Sequence, residues 1–226
     1  MLNTRLAGCE LALLPGGAAY LPSAQALLVA DAHFGKAVSF RRLGMPVPRG
    51  TTTETLDRLD ALVHATGARQ VVFLGDFLHS AQARAPATLA ALSRWRADHA
   101  ALTLTLVRGN HDERAGDPPE ALGIQVVDEP WPLAPFALCH HPQAVAGAYV
   151  LAGHWHPCIS LHGRANERLR LPCFWFGDDS GAVSAHAVGI LPAFGGFTGM
   201  HPVAPRAGDR LFAIAGDQVR EVSPRA

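Results

Sequence analysis

Five apolar runs in this chain end in residues that a buried core has little reason to hold. ALLVAD runs into Ala32-His33, giving Asp31 and His33, and QVVFLGD ends at Asp76. LTLTLVRGN ends at Asn110, FALCHH at His140 and His141, and YVLAGH runs into Trp155-His156, giving His154 and His156. Residues two apart in extended chain point the same way, so Asp31 with His33, and His154 with His156, can each aim a pair at one point. Two carboxylates, one amide oxygen and four imidazoles make seven donors, with one histidine counted from the His140-His141 pair. That is too many for one four-coordinate zinc and suits two metals sharing a bridge. Oxygen and nitrogen donors without thiolate suit manganese, iron or zinc better than copper(I). Two divalent cations against two carboxylates leave a net positive site that attracts phosphate. Such a pair, about 3.5–4 Å apart, can activate a water and stabilise both oxygens of an in-line displacement. Any one of these residues alone reads as an ordinary strand-end polar group; the ordered set does not.

The apolar runs predict buried strands at 26–31, 70–76, 102–110, 136–141 and 149–154. Between the first three lie two helical segments. TTTETLDRLDALVHATG offers Thr51 to Thr53 as caps, with Leu56, Leu59, Leu62 and Val63 on one face and Gly67 as its end. PATLAALSRWRADHA opens on Pro86 and carries Leu89, Leu92 and Trp95 at helical spacing. Strands alternating with helices imply a βαβ core, and ligands of such sheets bind beyond the carboxyl ends of the strands. The later half changes character: ISLH, RLRLPCFWF and LFAIAGDQVREV read as antiparallel hairpins. No linker or repeat divides the chain, so residues 1–226 are read as a single α/β domain with two sheets packed face to face.

Composition narrows the class. At 226 residues, 49% hydrophobic and 17% charged, the chain can bury one sizeable core. A formal net charge of zero argues against a broad nucleic-acid footprint and leaves a local basic patch open. No apolar run reaches a membrane span, and the start, MLNTRLAGCE, lacks a basic segment followed by an apolar one. A cytoplasmic protein is expected. Cys9, Cys139, Cys158 and Cys173 show no CxxC spacing and read as reduced thiols.

DAH (31–33), GD (75–76), GNHD (109–112), the histidine pair of LCHHP and GHWH (153–156), in that order, resemble the motifs of the calcineurin-like metallophosphoesterase superfamily. The resemblance implies an α/β fold in which a two-sheet β-sandwich is flanked by helices. It implies that Asp31, His33 and His156 hold one metal, Asn110, His140 and His154 a second, and that Asp76 bridges them. His111 would face the substrate as phosphate stabiliser or proton donor, with Asp112 orienting it. One departure stands out. Many relatives have His-Gly where this chain has His140-His141-Pro142, so His140 takes the ligand position and His141 points away or reaches substrate. GDFLH (75–79) resembles a motif of repair nucleases in the superfamily and would place His79 near the scissile phosphate. Trp155, between two ligands, should point away from the metals into structure.

Over nearly the whole chain the sequence resembles the ligase-associated DNA damage response endonuclease family. The stretches that carry this are DAHFGKAVSFRRLGMPVPRGTT, FLGDFLHS, RGNHD, LCHHP, LAGHWHP, LRLPCFWF and LPAFGGFTGMHPV. It implies a manganese-dependent phosphodiesterase and DNA endonuclease, with zinc or iron(II) as other metals. The context is bacterial repair beside a DNA ligase and a helicase, on DNA that is single-stranded or has single-stranded regions. From the residues themselves, 32–53 contain Lys36, Arg41, Arg42 and Arg49 but no acid. This segment reads as a loop over the site that binds backbone phosphate, or else as a solvated loop. Phe194 and Phe197 of PAFGGFTG read as core aromatics beside a tight turn, with base stacking the other reading. The motifs leave two alternatives to a nuclease: a phosphomonoesterase or nucleotide pyrophosphatase, and a scaffold that has lost catalysis.

Overall fold

Alternation of buried side chains builds the first sheet. Strands β1 (Leu2–Leu6), β2 (Cys9–Leu13), β3 (Ala18–Leu21) and β4 (Ala26–Ala30) are antiparallel neighbours. From β4 the sheet continues in parallel through β5 (Gln70–Leu74), β6 (Thr103–Val107) and β7 (Ile124–Val127). Helices α1 (Lys36–Arg42) and α2 (Thr51–Thr66) link β4 to β5, α3 (Pro86–Asp98) links β5 to β6, and α4 (Asn110–Ala115) links β6 to β7. The computed structural model describes residues 1–47, 50–162, 167–179 and 187–223.

The second sheet is mixed. It contains β8 (Trp131–Leu133), β9 (Phe136–Leu138), β10 (Tyr149–Ala152), β11 (Pro157–His162), β12 (Arg168–Phe176), β13 (Val188–Ile190), β14 (His201–Pro202), β15 (Arg210–Ala215) and β16 (Gln218–Val222). Their order is β14-β11-β12-β13-β10-β9-β8, with β15 on β12 and β16 on β15. β9, β10 and β13 run parallel to one another, whereas the β11–β12 and β15–β16 hairpins are antiparallel, as the sequence predicts.

Period-two patterning decides which side chain goes where. Leu28, Ala30, Val72 and Leu74 face the second sheet and meet Leu138, Leu151, Phe174, Phe176 and Phe212. Leu27, Val29, Val71 and Phe73 face the other way, onto Leu56, Leu59 and Val63 of α2 and Leu92 and Trp95 of α3. The result is the two-sheet sandwich with flanking helices. The outer face of β9 and β10 carries a smaller cluster of Ala137, Cys139, Val150 and Ala152, with Val145 and Ala148 packed on it. The four cysteines are free.

Three expectations change. The first 25 residues contribute three antiparallel strands that the sequence reading did not place. The basic segment starts as a helix, α1, rather than a loop, and Arg49 lies outside the described residues. Thr51 begins α2 instead of capping it, because Gly50, at φ 93°, makes the turn that feeds the helix. Among the described residues, no helix is long and apolar enough to cross a membrane.

Candidate metal centre

The polar residues at the strand ends converge where β4, β5, β6, β9 and β10 terminate. Asp31 and His33 follow β4, Asp76 follows β5, Asn110 opens α4 beyond β6, His140 follows β9, and His154 and His156 follow β10. Five of these residues sit in the left-handed region: Asp31 (φ 52°), His33 (46°), Asp76 (52°), His154 (69°) and His156 (47°). Each such residue costs on the order of 1–3 kcal/mol. The apolar strands beneath offset this: β4 and β10 are buried throughout, and a fully buried Leu or Val contributes about 1.5–3 kcal/mol. The sharp turns after β4, β5 and β10 swing their polar side chains back across the sheet end, where an extended chain would carry them off.

The glycines of the GD and GN motifs make room. Gly75 is in the left-handed region (φ 75°), and a Cβ there would lie 2.0 Å from His140 Nδ1. One on Gly109 would lie 2.5 Å from Asp76 Oδ1. The ligand-bearing strands approach so closely that only hydrogen fits between them.

Backbone carbonyls set the histidine tautomers. His140 Nδ1 donates to the Leu74 carbonyl (3.1 Å), His156 Nδ1 to Gly199 (3.1 Å) and His111 Nδ1 to His79 (2.6 Å). A metal-binding imidazole is unprotonated at its ligand atom, so His140 and His156 would offer the Nε2 lone pair, whereas His111 needs a second proton, on Nε2, to act as a donor. His140 Nε2 points its lone pair at Asn110 Oδ1, 3.0 Å away, and lies 3.0 Å from His154 Nδ1 and 3.5 Å from Asp76 Oδ1. A lone pair facing an amide oxygen at that distance repels it unless a cation lies between. On the other side of Asp76, the buried Asp31 Oδ1 and His156 Nε2 stand 3.4 Å apart, both without a hydrogen-bond partner among the described residues. Asp31, His33 and His156 form one group of convergent donors and Asp31, Asp76 and His140 another. Two nitrogens bound to one ion at about 2.0–2.1 Å are separated by roughly 3.0–3.4 Å. The donors therefore fit a pair of divalent cations.

Electrostatics favour the ligand form of the imidazoles. Burial, then the charge of Lys36 and the neighbouring His156, His111 and His79, holds His33 far below the ordinary histidine range. Burial and then His140 and His141 lower His154. Burial, Lys36 and His111 bring His79 down to about 4. His33 and His154 are neutral near pH 7, as metal ligation requires, and His79 is neutral beside them. Both carboxylates are pinned: Asp31 Oδ2 accepts the His154 amide (2.9 Å) and Asp76 Oδ1 the His111 amide (2.9 Å).

The remaining predicted residues sort clearly. His111 and His79 stack with ring centroids 5.0 Å apart, and His33 lies edge-on to both. Asp112 does not touch the His111 ring. Its carboxylate accepts the amides of Phe77 (2.9 Å), Leu78 (3.4 Å) and Gly109 (3.0 Å), tying the Asp76 turn to the start of α4. Burial, with Asp76 adding and the Gly109 amide opposing, raises Asp112 to about 6. It is a clamp between two turns, and the His79 carbonyl orients His111 instead. His141 pairs with Glu129, its Nδ1 2.7 Å from Oε1, yet its ring stays 4.6 Å from that of His154, and it converges with His140 and His154 as a further donor group. Lys36 is half-buried beside the site, where burial lowers its pKa against the pull of Asp31 and Asp76. Arg41 and Arg42 occupy the last turn of α1, Arg41 donating to the Val47 carbonyl (3.3 Å) and Arg42 exposed.

Glu129 escaped the sequence reading. It accepts the amides of His140 (2.6 Å) and His141 (2.9 Å) as well as the His141 ring. Burial alone would raise its carboxyl, but those hydrogen bonds win and hold it low. It stands in DEPW, outside any motif, and nothing local marks it. PAFGGFTG proves to be a brace: Phe194 and Gly195 donate to the carbonyls of Ala30 (2.8 Å) and Asp31 (3.0 Å), and Gly199 holds His156. Phe194 is buried as expected; Phe197 is instead exposed.

No family model matches the chain, and no curated protein matches it. Among solved structures, the Pseudomonas putida nuclease MPE aligns at a TM-score of 0.83 and 46% identity, covering 98% of this chain and 99% of the other. The chain belongs to the metallophosphoesterase nuclease family. Yfce, a phosphoesterase from E. coli, aligns at a TM-score of 0.41 with 13% identity over 87% of this chain and 97% of its own. Membership in the metallophosphoesterases makes this protein a hydrolase, and the His and Asp groups at its strand ends suit divalent metals.

Proposed function

We propose that this protein is a divalent-metal-dependent phosphodiesterase and DNA endonuclease working in DNA repair. The observation that carries the reading is the convergence of donors on both sides of Asp76, with Asp31 Oδ1 and His156 Nε2 left unpartnered. The Pseudomonas nuclease at 46% identity supports the choice of phosphodiester. Asp31, His33 and His156 would hold one cation, Asn110, His140 and His154 the other, with Asp76 between them. Two bound cations would supply an activated water and charge for the attacking and leaving oxygens. Oxygen and nitrogen donors suit manganese, with zinc or iron(II) as alternatives.

His111 faces the substrate with its Nε2, and His79 stacks behind it. Lys36 contributes positive charge beside the phosphate, and Arg41 and Arg42 contact the strand farther out. Single-stranded DNA is the substrate in this reading, and the place beside a DNA ligase and a helicase rests on the family resemblance. A phosphomonoesterase or nucleotide pyrophosphatase is the second reading, favoured by zero net charge.

The assay is bis-p-nitrophenyl phosphate against p-nitrophenyl phosphate with manganese, followed by single-stranded DNA. Preference for the monoester, with DNA untouched, would select the second reading. Replacing Arg41 and Arg42 together by Gln should weaken binding of single strands and flatten the slope of log affinity against log salt. With about 0.7 per phosphate contact, the change is roughly 1.4. An unchanged slope would show that neither arginine contacts the strand.

A further inference from the structure

The turn that delivers His154 and His156 puts Trp155 outside the cluster. Its amide donates to the Gly153 carbonyl (2.8 Å), and its ring is 46% exposed instead of entering the core as expected. It lies against Trp175, with centroids 5.8 Å apart and planes tilted by 39°. Trp175 is fixed, its indole N–H donating to Asp209 Oδ2 (2.8 Å), which also accepts the Arg206 amide (2.8 Å). The two rings border two open grooves of about 490 and 410 Å³, within the size range of ligand sites, about 300–1,000 Å³. The first groove reaches His154 itself, beside His201; the second runs on to Gln143 and Arg206.

A lone exposed apolar side chain is ordinary. A braced tryptophan pair lining a groove that opens on a residue of the candidate metal centre is not. We propose that Trp155, backed by Trp175, is a stacking subsite for an unpaired nucleobase next to the phosphate being cleaved. The inference rests on the phosphodiesterase reading and adds to it a base-binding residue. Continuity with His154 identifies the occupant, because a strand with its phosphate at the cluster must lead away through a bordering groove. Charge points the same way. With 19 basic and 19 acidic residues, the chain has no net charge to draw in a polyanion. Base stacking supplies affinity that is tolerant of sequence and does not depend on net charge. A paired base cannot reach the ring, so the subsite would also favour single strands over duplex.

The test compares kcat/KM, with manganese, on a short single-stranded oligodeoxynucleotide and on the same strand carrying abasic residues. Stacking of one base is worth about 5- to 150-fold when the aromatic ring is removed, so wild type should prefer the base-bearing strand by a factor in that range. Trp155→Ala should cleave both strands about equally, and Trp155→Phe should restore most of the preference. The ratio is internal to each preparation, so a partly unfolded variant does not mimic the result. A Trp155→Ala protein that keeps the wild-type ratio overturns the subsite and leaves the nuclease reading standing. So does a wild type indifferent to the bases. Loss of both activities in Trp155→Ala also overturns it, by making the ring part of the frame of the site. A wild type that hydrolyses bis-p-nitrophenyl phosphate but neither strand removes the nuclease reading, and the subsite with it.

Discussion

Asp76→Ala should bring phosphodiester hydrolysis down to background and cost the protein at least one of the two metals proposed for its centre. Asp76 is the residue on which both halves of the centre meet: Oδ1 lies 3.5 Å from His140 Nε2 and Oδ2 lies 3.7 Å from His33 Nε2. Without it, two divalent cations would face each other with only Asp31 to balance four positive charges. Coulomb repulsion between unit charges 4 Å apart is already about 4 kcal/mol at an effective dielectric of 20, and doubly charged ions repel four times as strongly. The substitution has a second effect, because Oδ1 also accepts the His111 amide and sets the start of α4. Asp76→Asn separates the two. Its amide oxygen can still accept the His111 N–H, but the charge is gone, so metal loss in both variants assigns the effect to charge. Metal content by mass spectrometry and turnover of bis-p-nitrophenyl phosphate are the measurements. Near wild-type turnover with two metals bound in Asp76→Ala would sink the assignment of a shared bridge.

The parts of this centre legible in the sequence are those that sit in local patterns. Each strand is an apolar run and each donor follows it within four residues, so Asp31, Asp76 and His140 could be placed at strand ends without knowing how strands pair. What joined them is non-local: the βαβ argument anticipated the parallel pairing of β4, β5 and β6, and nothing in the sequence reading paired β9 with β10. Contacts that cross the chain with no motif of their own were not legible. Glu129 reaches His141 from a loop of ordinary composition, and the carbonyls of Leu74, His79 and Gly199 that fix three tautomers belong to residues of any type. Asp112 shows the converse error. Its place next to His111 in GNHD suggested a side-chain pair, but in the first turn of α4 its carboxylate bends back onto the Gly109 amide, as a third-position acid does in a capping box. Trp155, between two donors, was expected to point away from the metals into structure; it does point away, but with His154 and His156 both turned to the donors it faces the groove.

His111→Ala should retain both metals and lose about 100- to 10,000-fold in DNA cleavage, the usual contribution of a general acid or base. Its ring is held from behind, Nδ1 on the His79 carbonyl at 2.6 Å and the plane stacked on His79. Nε2 stands 4.0 Å from Asp76 Oδ2, beyond hydrogen-bonding range, and the side chain is 32% exposed. That separation and exposure suit a group presented to substrate, although His111 also converges with His33 and His79, so metal content is the deciding measurement. Two roles remain, protonating the leaving oxygen or neutralising charge on the phosphate, and leaving-group chemistry separates them. A p-nitrophenolate leaves without needing a proton, whereas the sugar alkoxide of DNA does. If Nε2–H protonates the leaving oxygen, His111→Ala should lose much less on bis-p-nitrophenyl phosphate than on a single strand. If it stabilises the phosphate oxygens, both substrates should lose the same factor, and His111→Gln, which keeps a neutral donor, should recover part of it. Anomalous diffraction from manganese bonded to His111, or a fall in metal content in the alanine variant, would instead make His111 a ligand.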